Sequence, residues 1–180
     1  KDYENKLVGF YAVLYEGRCY QAAGELNKAL KTFGELVNQP VGQADFRRLV
    51  ARAYRYRAEC YLAEGEYNKA IEECSEWLNQ ASSDELKQPE WLAVEYQLAT
   101  AYSAKASKDP GGEDASRLRT DARKLFREVS RHPSEFQDDA RTALALSGND
   151  DSTQVEVTGF ADAFSAGKAA IERMSSAQLA

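Results

Sequence analysis

Apolar residues at the start of the chain recur with the spacing of one helix face: Leu7, Phe10, Tyr11, Leu14 and Cys19. Intervals of three and four residues are the signature of an amphipathic helix. The stripe breaks at Gly24 and a second one follows, with Leu26, Ala29, Leu30, Phe33 and Val37 on one side. The same alternation then returns. Gly65 closes a stripe and opens another, made of Tyr67, Ala70, Ile71, Cys74 and Leu78. Segments 17–30 and 58–71 are near copies. Aligned without gaps, Cys19 meets Cys60, Tyr20 meets Tyr61, and Asn27, Lys28 and Ala29 meet Asn68, Lys69 and Ala70, with a constant offset of 41 residues (24 to 65). Each copy reads as helix, tight turn, helix. The two glycines stand where a helix ends in a left-handed residue, a conformation glycine adopts without penalty.

A third unit is recognisable but altered. Trp91, Val94, Leu98 and Tyr102 mark its first helix, Lys108 to Asp114 a lengthened loop, and Ala122, Leu125, Phe126 and Val129 its second helix, ending near His132 and Pro133. Residues 134–146 predict one more helix, striped by Phe136, Ala140, Ala143 and Leu144. A polar linker follows over 147–157. The last amphipathic segment, 158–176, carries Phe160, Phe164, Ile171 and Met174 and is expected to pack on the stack. Pro40 and Pro89 punctuate the connections. The pattern therefore predicts an all-α chain of about eight helices: an α–α superhelix (solenoid) of three to four helix–turn–helix repeats over residues 1–146, plus a C-terminal helix.

Composition narrows the function. The 180 residues carry a formal charge of -6. That balance argues against nonspecific binding of nucleic acid, which needs a basic footprint. No stretch of the sequence is apolar for long enough to span a membrane. The chain opens on Lys1 without a leader pattern and reads as a piece of a longer protein. Cys19, Cys60 and Cys74 are too few and too widely spaced for a disulfide framework or a zinc site. They are expected in the core, and a reducing, cytoplasmic setting is favoured.

The repeated residues resemble the tetratricopeptide repeat. In the first unit the family pattern falls on Gly17, Tyr20, Gly24, Ala29, Phe33 and Pro40. In the second it falls on Tyr54, Ala58, Tyr61, Gly65, Tyr67 and Ala70, with Cys74 in the aromatic place, and in the third on Leu98, Ala99, Tyr102, Ala122 and Phe126. The 41-residue spacing exceeds the 34 of that family. The resemblance implies a groove lined by the first helix of each unit, and a scaffold that binds a protein or peptide there. By repeat register the candidate groove residues are Tyr11, Leu14, Arg18 and Gln21, then Arg48, Arg52, Arg55, Glu59 and Leu62, then Ala93, Tyr96, Thr100 and Ser103.

The second set is unusual in an acidic protein. Segment 46–57 holds five arginines, and Arg48, Arg52, Arg55 and Glu59 follow one another at steps of four, three and four. Arginine forks grip carboxylates and stack on rings, so these residues suit an acidic, extended ligand. They equally suit a solvated face paired with Asp45, Glu59 and Glu95. The family's lysine and asparagine carboxylate clamp is not reproduced. The alternative function is a structural module that self-associates into a homo-oligomer. Catalysis has little to draw on. His132 is the one histidine and is expected to close a helix, Trp77 and Trp91 read as packing residues, and Gly111-Gly112 lacks the lysine of a phosphate loop. No enzyme activity, cofactor or metal is expected.

Overall fold

A computed structural model of the chain describes residues 2–39 and 42–147, with side chains from Lys6 onward. Of the linker expected at 147–157, Ser147 instead ends the last described helix; the rest of it, the helix expected at 158–176 and Pro40 lie outside the described residues. Those described form an all-α structure of seven helices: α1 (Asp2–Ala22), α2 (Leu26–Val37), α3 (Ala44–Glu64), α4 (Tyr67–Asn79), α5 (Pro89–Lys108), α6 (Ala115–Arg131) and α7 (Gln137–Ser147). Each helix packs on the next in chain order. In addition α1 touches α3, and α3 touches α5. The odd-numbered helices 1, 3 and 5 therefore lie side by side.

The two tight turns are the ones the glycines predict. Gly24 and Gly65 both have φ +76°. The amide of Glu25 donates to the Tyr20 carbonyl at 2.9 Å while that of Gly24 donates to Gln21 at 3.0 Å. Glu66 and Gly65 repeat the pattern on Tyr61 and Leu62, at 2.8 and 3.1 Å. Crossed bonds of this kind satisfy the last carbonyls of a helix and require a residue that accepts positive φ. The third turn, between α5 and α6, has no such glycine, and α5 ends at Asp109 in another conformation. Pro89 sits in the first turn of α5, where a missing N–H costs nothing.

A deeper regularity sets how closely helices approach. Gly17, Ala58, Ala99 and Ala140 follow one another at 41-residue steps (17, 58, 99, 140), one on each odd helix. All four are buried. At Gly17 the reason is direct: a Cβ there would lie 2.4 Å from the Phe33 ring of α2. The step holds through the third unit because the connection from α6 to α7 is short where the one from α5 to α6 is long.

The main core runs through α1 to α5 and includes Phe33, Leu36, Leu49, Val50, Cys60, Cys74, Trp77 and Trp91. Trp77 stacks on Tyr54 at 4.9 Å and meets Trp91 at 6.2 Å. A second cluster joins Leu92, Ala99, Ala122, Phe126, Val129 and Ala140 across α5, α6 and α7. Cys60 and Cys74 are buried as expected, and burial pushes the Cys60 thiol up to about 11. Cys19 corrects the expectation, because it is exposed. It shares its register place with Cys60, but α3 has α1 and α2 against that side, whereas among the described residues nothing covers α1 there.

One ion pair sits inside this packing. Arg57 grips Glu73 of α4 with two bonds, Nε to Oε2 at 2.7 Å and Nη2 to Oε1 at 2.5 Å. Its Nη1 donates to the Leu30 carbonyl of α2 at 3.1 Å. Residue 34 is what opens that carbonyl. Gly34 has no side chain, and a Cβ there would stand 3.0 Å from Arg57 Nη1. Tyr61 Oη completes the network by donating to Glu73 at 2.8 Å. Glu73 thereby fastens α3 to α4.

Two glycines of α1 should respond in opposite ways to the same change. Gly17→Ala is expected to destabilise the fold by about 1–3 kcal/mol, since the methyl group enters the Phe33 ring. Gly9→Ala, with nothing within 4 Å of the added Cβ, should stabilise by up to about 1 kcal/mol through lower unfolded-chain entropy. Urea unfolding of the two variants decides it, and shifts of the same sign would refute the close approach.

Candidate functional site

The helix register places most of the candidate residues on the side of α1, α3 and α5 where these three helices meet one another. Arg18 leads from α1. Its Nη1 lies 3.4 Å from Glu59 Oε2, and its guanidinium rests over the Tyr56 ring at 4.2 Å. Gln21, one turn on, donates to the same Glu59 oxygen at 2.9 Å. From within α3, Arg55 Nε donates to Glu59 Oε1 at 2.9 Å. From α5, Gln97 Nε2 approaches that oxygen at 3.5 Å. Glu59 is thus the meeting point of three helices, and four donors converge on one carboxylate. Gln97 is 5% exposed, so its amide has few other partners to choose from.

A second row runs nearer the start of α5. Arg52 Nη2 donates to Glu90 at 2.8 Å. Arg48 Nε donates to Gln88 at 3.2 Å, with Asp45 3.9 Å away. Beyond it Arg47, not among the candidates, pairs with Glu85 at 2.5 Å and lies over the Trp77 ring at 5.2 Å. Ser82 and Glu85 bond reciprocally: the Ser82 amide donates to Glu85 Oε2 at 2.8 Å and the Glu85 amide to Ser82 Oγ at 3.3 Å. This Ser-x-x-Glu capping box orders the connection ahead of α5. The Arg47 guanidinium and the Ser82 donors hold the Glu85 carboxyl below its usual value.

The remaining candidates divide. Tyr96 stacks on Phe136 with centroids 4.4 Å apart and planes 10° from parallel, and burial raises its phenol. Through Phe136 it joins Arg55, whose guanidinium lies 4.6 Å from the same ring. Thr100 spends its hydroxyl on the Tyr96 carbonyl at 2.9 Å. Tyr11 is half-buried against the main core. Leu14 and Ala93, at 3% and 2% exposure, are core residues and present nothing to a ligand.

The arginines are therefore engaged by carboxylates of the chain itself. Their accessibility still differs. The side chains of Arg18, Arg48 and Arg52 are 43%, 48% and 39% exposed, while that of Arg55 is 15% exposed. Pairs as open as the first three are worth about 0–1 kcal/mol each, so a competing carboxylate displaces them at little cost.

Glu95 behaves differently from the arginine partner it was expected to be. It stands in register with Val13, Tyr54 and Phe136 (13, 54, 95, 136), an otherwise apolar place. It is 7% exposed and its Oε2 has no hydrogen-bond partner. Burial, with a smaller push from Glu128, raises the carboxyl to about 7. Glu128 in turn contacts His132 Nε2 at 3.1 Å, and His132 closes α6 as expected. Sequence reasoning missed the depth of Glu95 because a glutamate in a helix reads as surface. Its signal was the 41-residue register, which sets it among apolar residues.

Among the described residues no group of three or more His, Cys, Asp and Glu side chains is placed to hold a metal ion. No helix among them is long and apolar enough to cross a membrane. No family model, no curated protein and no solved structure matches this chain.

Glu95 makes stability depend on pH in a defined direction. Below its unfolded value near 4.5 the carboxyl is neutral in both states, and burial carries no charge penalty. Between 4.5 and about 7 the unfolded chain ionises first, so stability falls as pH rises and levels off above that window. Glu95→Gln removes the effect. Its stability relative to the parent chain should rise by about 2–3 kcal/mol from pH 4.5 to pH 8, and parallel unfolding profiles would show that the carboxyl is solvated.

Proposed function

We propose that this chain is a tetratricopeptide-like superhelix, a non-catalytic scaffold that binds an extended segment of another protein along the face shared by α1, α3 and α5. The observation that carries the reading is the line of side chains converging on Glu59 from three odd helices, Arg18, Gln21, Arg55 and Gln97. Repeating units that present equivalent positions side by side make a long surface with a repeating chemistry, which matches an extended chain better than a small molecule. The constant step from Gly17 to Ala140 supports the superhelical arrangement, since it sets a buried small residue at the same register place on α1, α3, α5 and α7.

The chemistry of the face favours a ligand with carboxylates. Arg18, Arg48 and Arg52 are half-open, and each can exchange its internal acid, Glu59, Asp45 or Glu90, for a ligand's. Exchange of like for like costs little desolvation, because each guanidinium keeps a partner throughout.

A second reading, self-association, draws on a different surface. Val8, Ala12, Tyr15 and Cys19 form an exposed line on α1, with Val8 70% and Tyr15 64% exposed. One step on, Leu49, Ala53 and Cys60 are fully buried in α3. This side of α1 therefore has the composition of an internal contact.

The test of the main reading is an array of synthetic peptides about fifteen residues long, probed with labelled protein. Arg18→Glu with Arg52→Glu should weaken the retained acidic peptides by about tenfold or more, at roughly 1.4 kcal/mol per decade. It should move the melting temperature by only a few degrees, as changes to exposed pairs do. Retention of the same peptides at the same strength would move the binding surface elsewhere. If the second reading holds, Val8→Glu with Tyr15→Lys converts a sedimenting dimer of the parent chain into a monomer; a parent chain already monomeric at high concentration excludes it.

A further inference from the structure

The arginine most deeply set in this face already has an occupant, and the occupant is a piece of the same chain. Glu135 and Phe136 are consecutive residues in the connection between α6 and α7. Glu135 Oε1 accepts from Arg55 Nη1 at 2.5 Å. The ring of Phe136 stands 4.6 Å from the Arg55 guanidinium and stacks on Tyr96 at 4.4 Å. On its other side Arg55 has the Tyr56 ring at 5.0 Å and the Glu59 carboxylate at 2.9 Å. One cation is held between two rings and two carboxylates.

The two halves of this enclosure are unequal. Glu59 and Tyr56 belong to α3, the helix that carries Arg55, and Glu59 is only 23% exposed with further donors on it. Glu135 arrives from a connection 80 residues further along and is 59% exposed. Its bond is therefore the one water competes for, and the one a ligand can replace. The geometry of the receptor is also regular. Arg55 and Tyr96 occupy the same register place one step apart (55 and 96, 41 residues), so α3 offers a cation where α5 offers a ring. Phe136, by contrast, leaves the behaviour of its own register mates: Tyr54 turns to Trp77 of the even helix α4, whereas Phe136 turns to the odd helix α5.

We infer that Arg55 and Tyr96 form a two-point subsite for a carboxylate side chain followed directly by an aromatic one, filled by Glu135 and Phe136 in the free protein and taken by displacement by an acidic–aromatic pair in the partner segment. The inference rests on the reading of this face as a binding surface and names the partner's local chemistry. A guanidinium that ends between two rings and two carboxylates gains both charge-assisted bonds and ring stacking. A ligand that reproduces both replaces the carboxylate on Arg55 and the ring on Tyr96, against the packing Phe136 gives up on the second cluster, while one offering a carboxylate alone leaves the Tyr96 ring uncovered. The internal pair also sets a threshold, since apparent affinity falls in proportion to the fraction of molecules in which the subsite is open.

The experiment uses the full chain and a fluorescently labelled synthetic peptide with a single Glu-Phe pair in a Gly/Ser background, followed by anisotropy. Glu135→Ala should bind it about tenfold more tightly than the parent chain, because the competing carboxylate is gone. Adding Arg55→Gln to that variant should remove the gain, and a Gln-Phe peptide should show none. Phe136→Leu, which keeps apolar volume and loses the stack, is expected to act in the same direction as Glu135→Ala. Its thermal melt and that of Glu135→Ala report whether the fold is intact. Equal binding by the parent chain and both opened variants, or a gain that survives Arg55→Gln, overturns the subsite. If the opened variants gain nothing while Arg18→Glu with Arg52→Glu still loses its arrayed peptides, the subsite falls and the face stands. If neither pair of variants has an effect, both fall.

Discussion

The contact between the backbone of α1 at Gly17 and the ring of Phe33 governs much of what surrounds it. With no Cβ between them the ring lies directly against the helix, and Phe33 is fully buried as a result. Further along the chain Ala58, Ala99 and Ala140 hold the same register place and are equally enclosed. Next to Gly17, Arg18 reaches the Glu59 carboxylate of α3, which Gln97 approaches from α5 and Arg55 from one turn back on α3 itself. The polar face depends on the packing beneath it, and a change of helix separation at Gly17 would be felt at Arg18 one residue away.

Electrostatics on this protein is arranged by depth. The pair of Arg57 with Glu73, 15% and 25% exposed, is bidentate and has a backbone carbonyl and a tyrosine hydroxyl to complete it. Removing one partner of so enclosed a pair leaves a charge with no answer, which is why such networks are all or nothing. Arg55 is equally enclosed at 15% exposure, between the rings of Tyr56 and Phe136. Arg18, Arg48 and Arg52 sit at the rim, where water screens each pair. Glu95 lies outside this scheme: at 7% exposure it is buried where the arginines are not, among the described residues its Oε2 has no hydrogen-bond partner, and burial raises its carboxyl to about 7.

What the sequence made legible follows the range of the interaction concerned. The turns at Gly24 and Gly65 are local, and a glycine between two apolar stripes was enough to place them. The amphipathic stripes of α2, α4 and α6 were equally plain. Burial that depends on a neighbouring helix was harder to read. Cys19 and Cys60 have near-identical surroundings in sequence, yet one is exposed and the other enclosed, because among the described residues helices cover that side of α3 and not of α1. The five arginines of segment 46–57 were indistinguishable by type and spacing. Arg57 is set apart by Gly34 on another helix, which clears the way to the Leu30 carbonyl. The candidate face was located by register, and its arginines were seen; that Glu59 would gather them, and that Glu135 would arrive from 80 residues away, needed the tertiary fold.

The unchanging step from Gly17 to Ala140 has a consequence for how such a chain can vary. The lengthened turn between α5 and α6 is offset by the short connection after α6, so the next small residue keeps its register place. A protein counted out in this way tolerates copying or excision of whole steps far better than gain or loss of part of one. Duplicating a stretch of coding sequence one step long would repeat the register and lengthen the face, whereas a one-residue slip inside a helix would turn the rest of that helix by about 100° and set its core side outward.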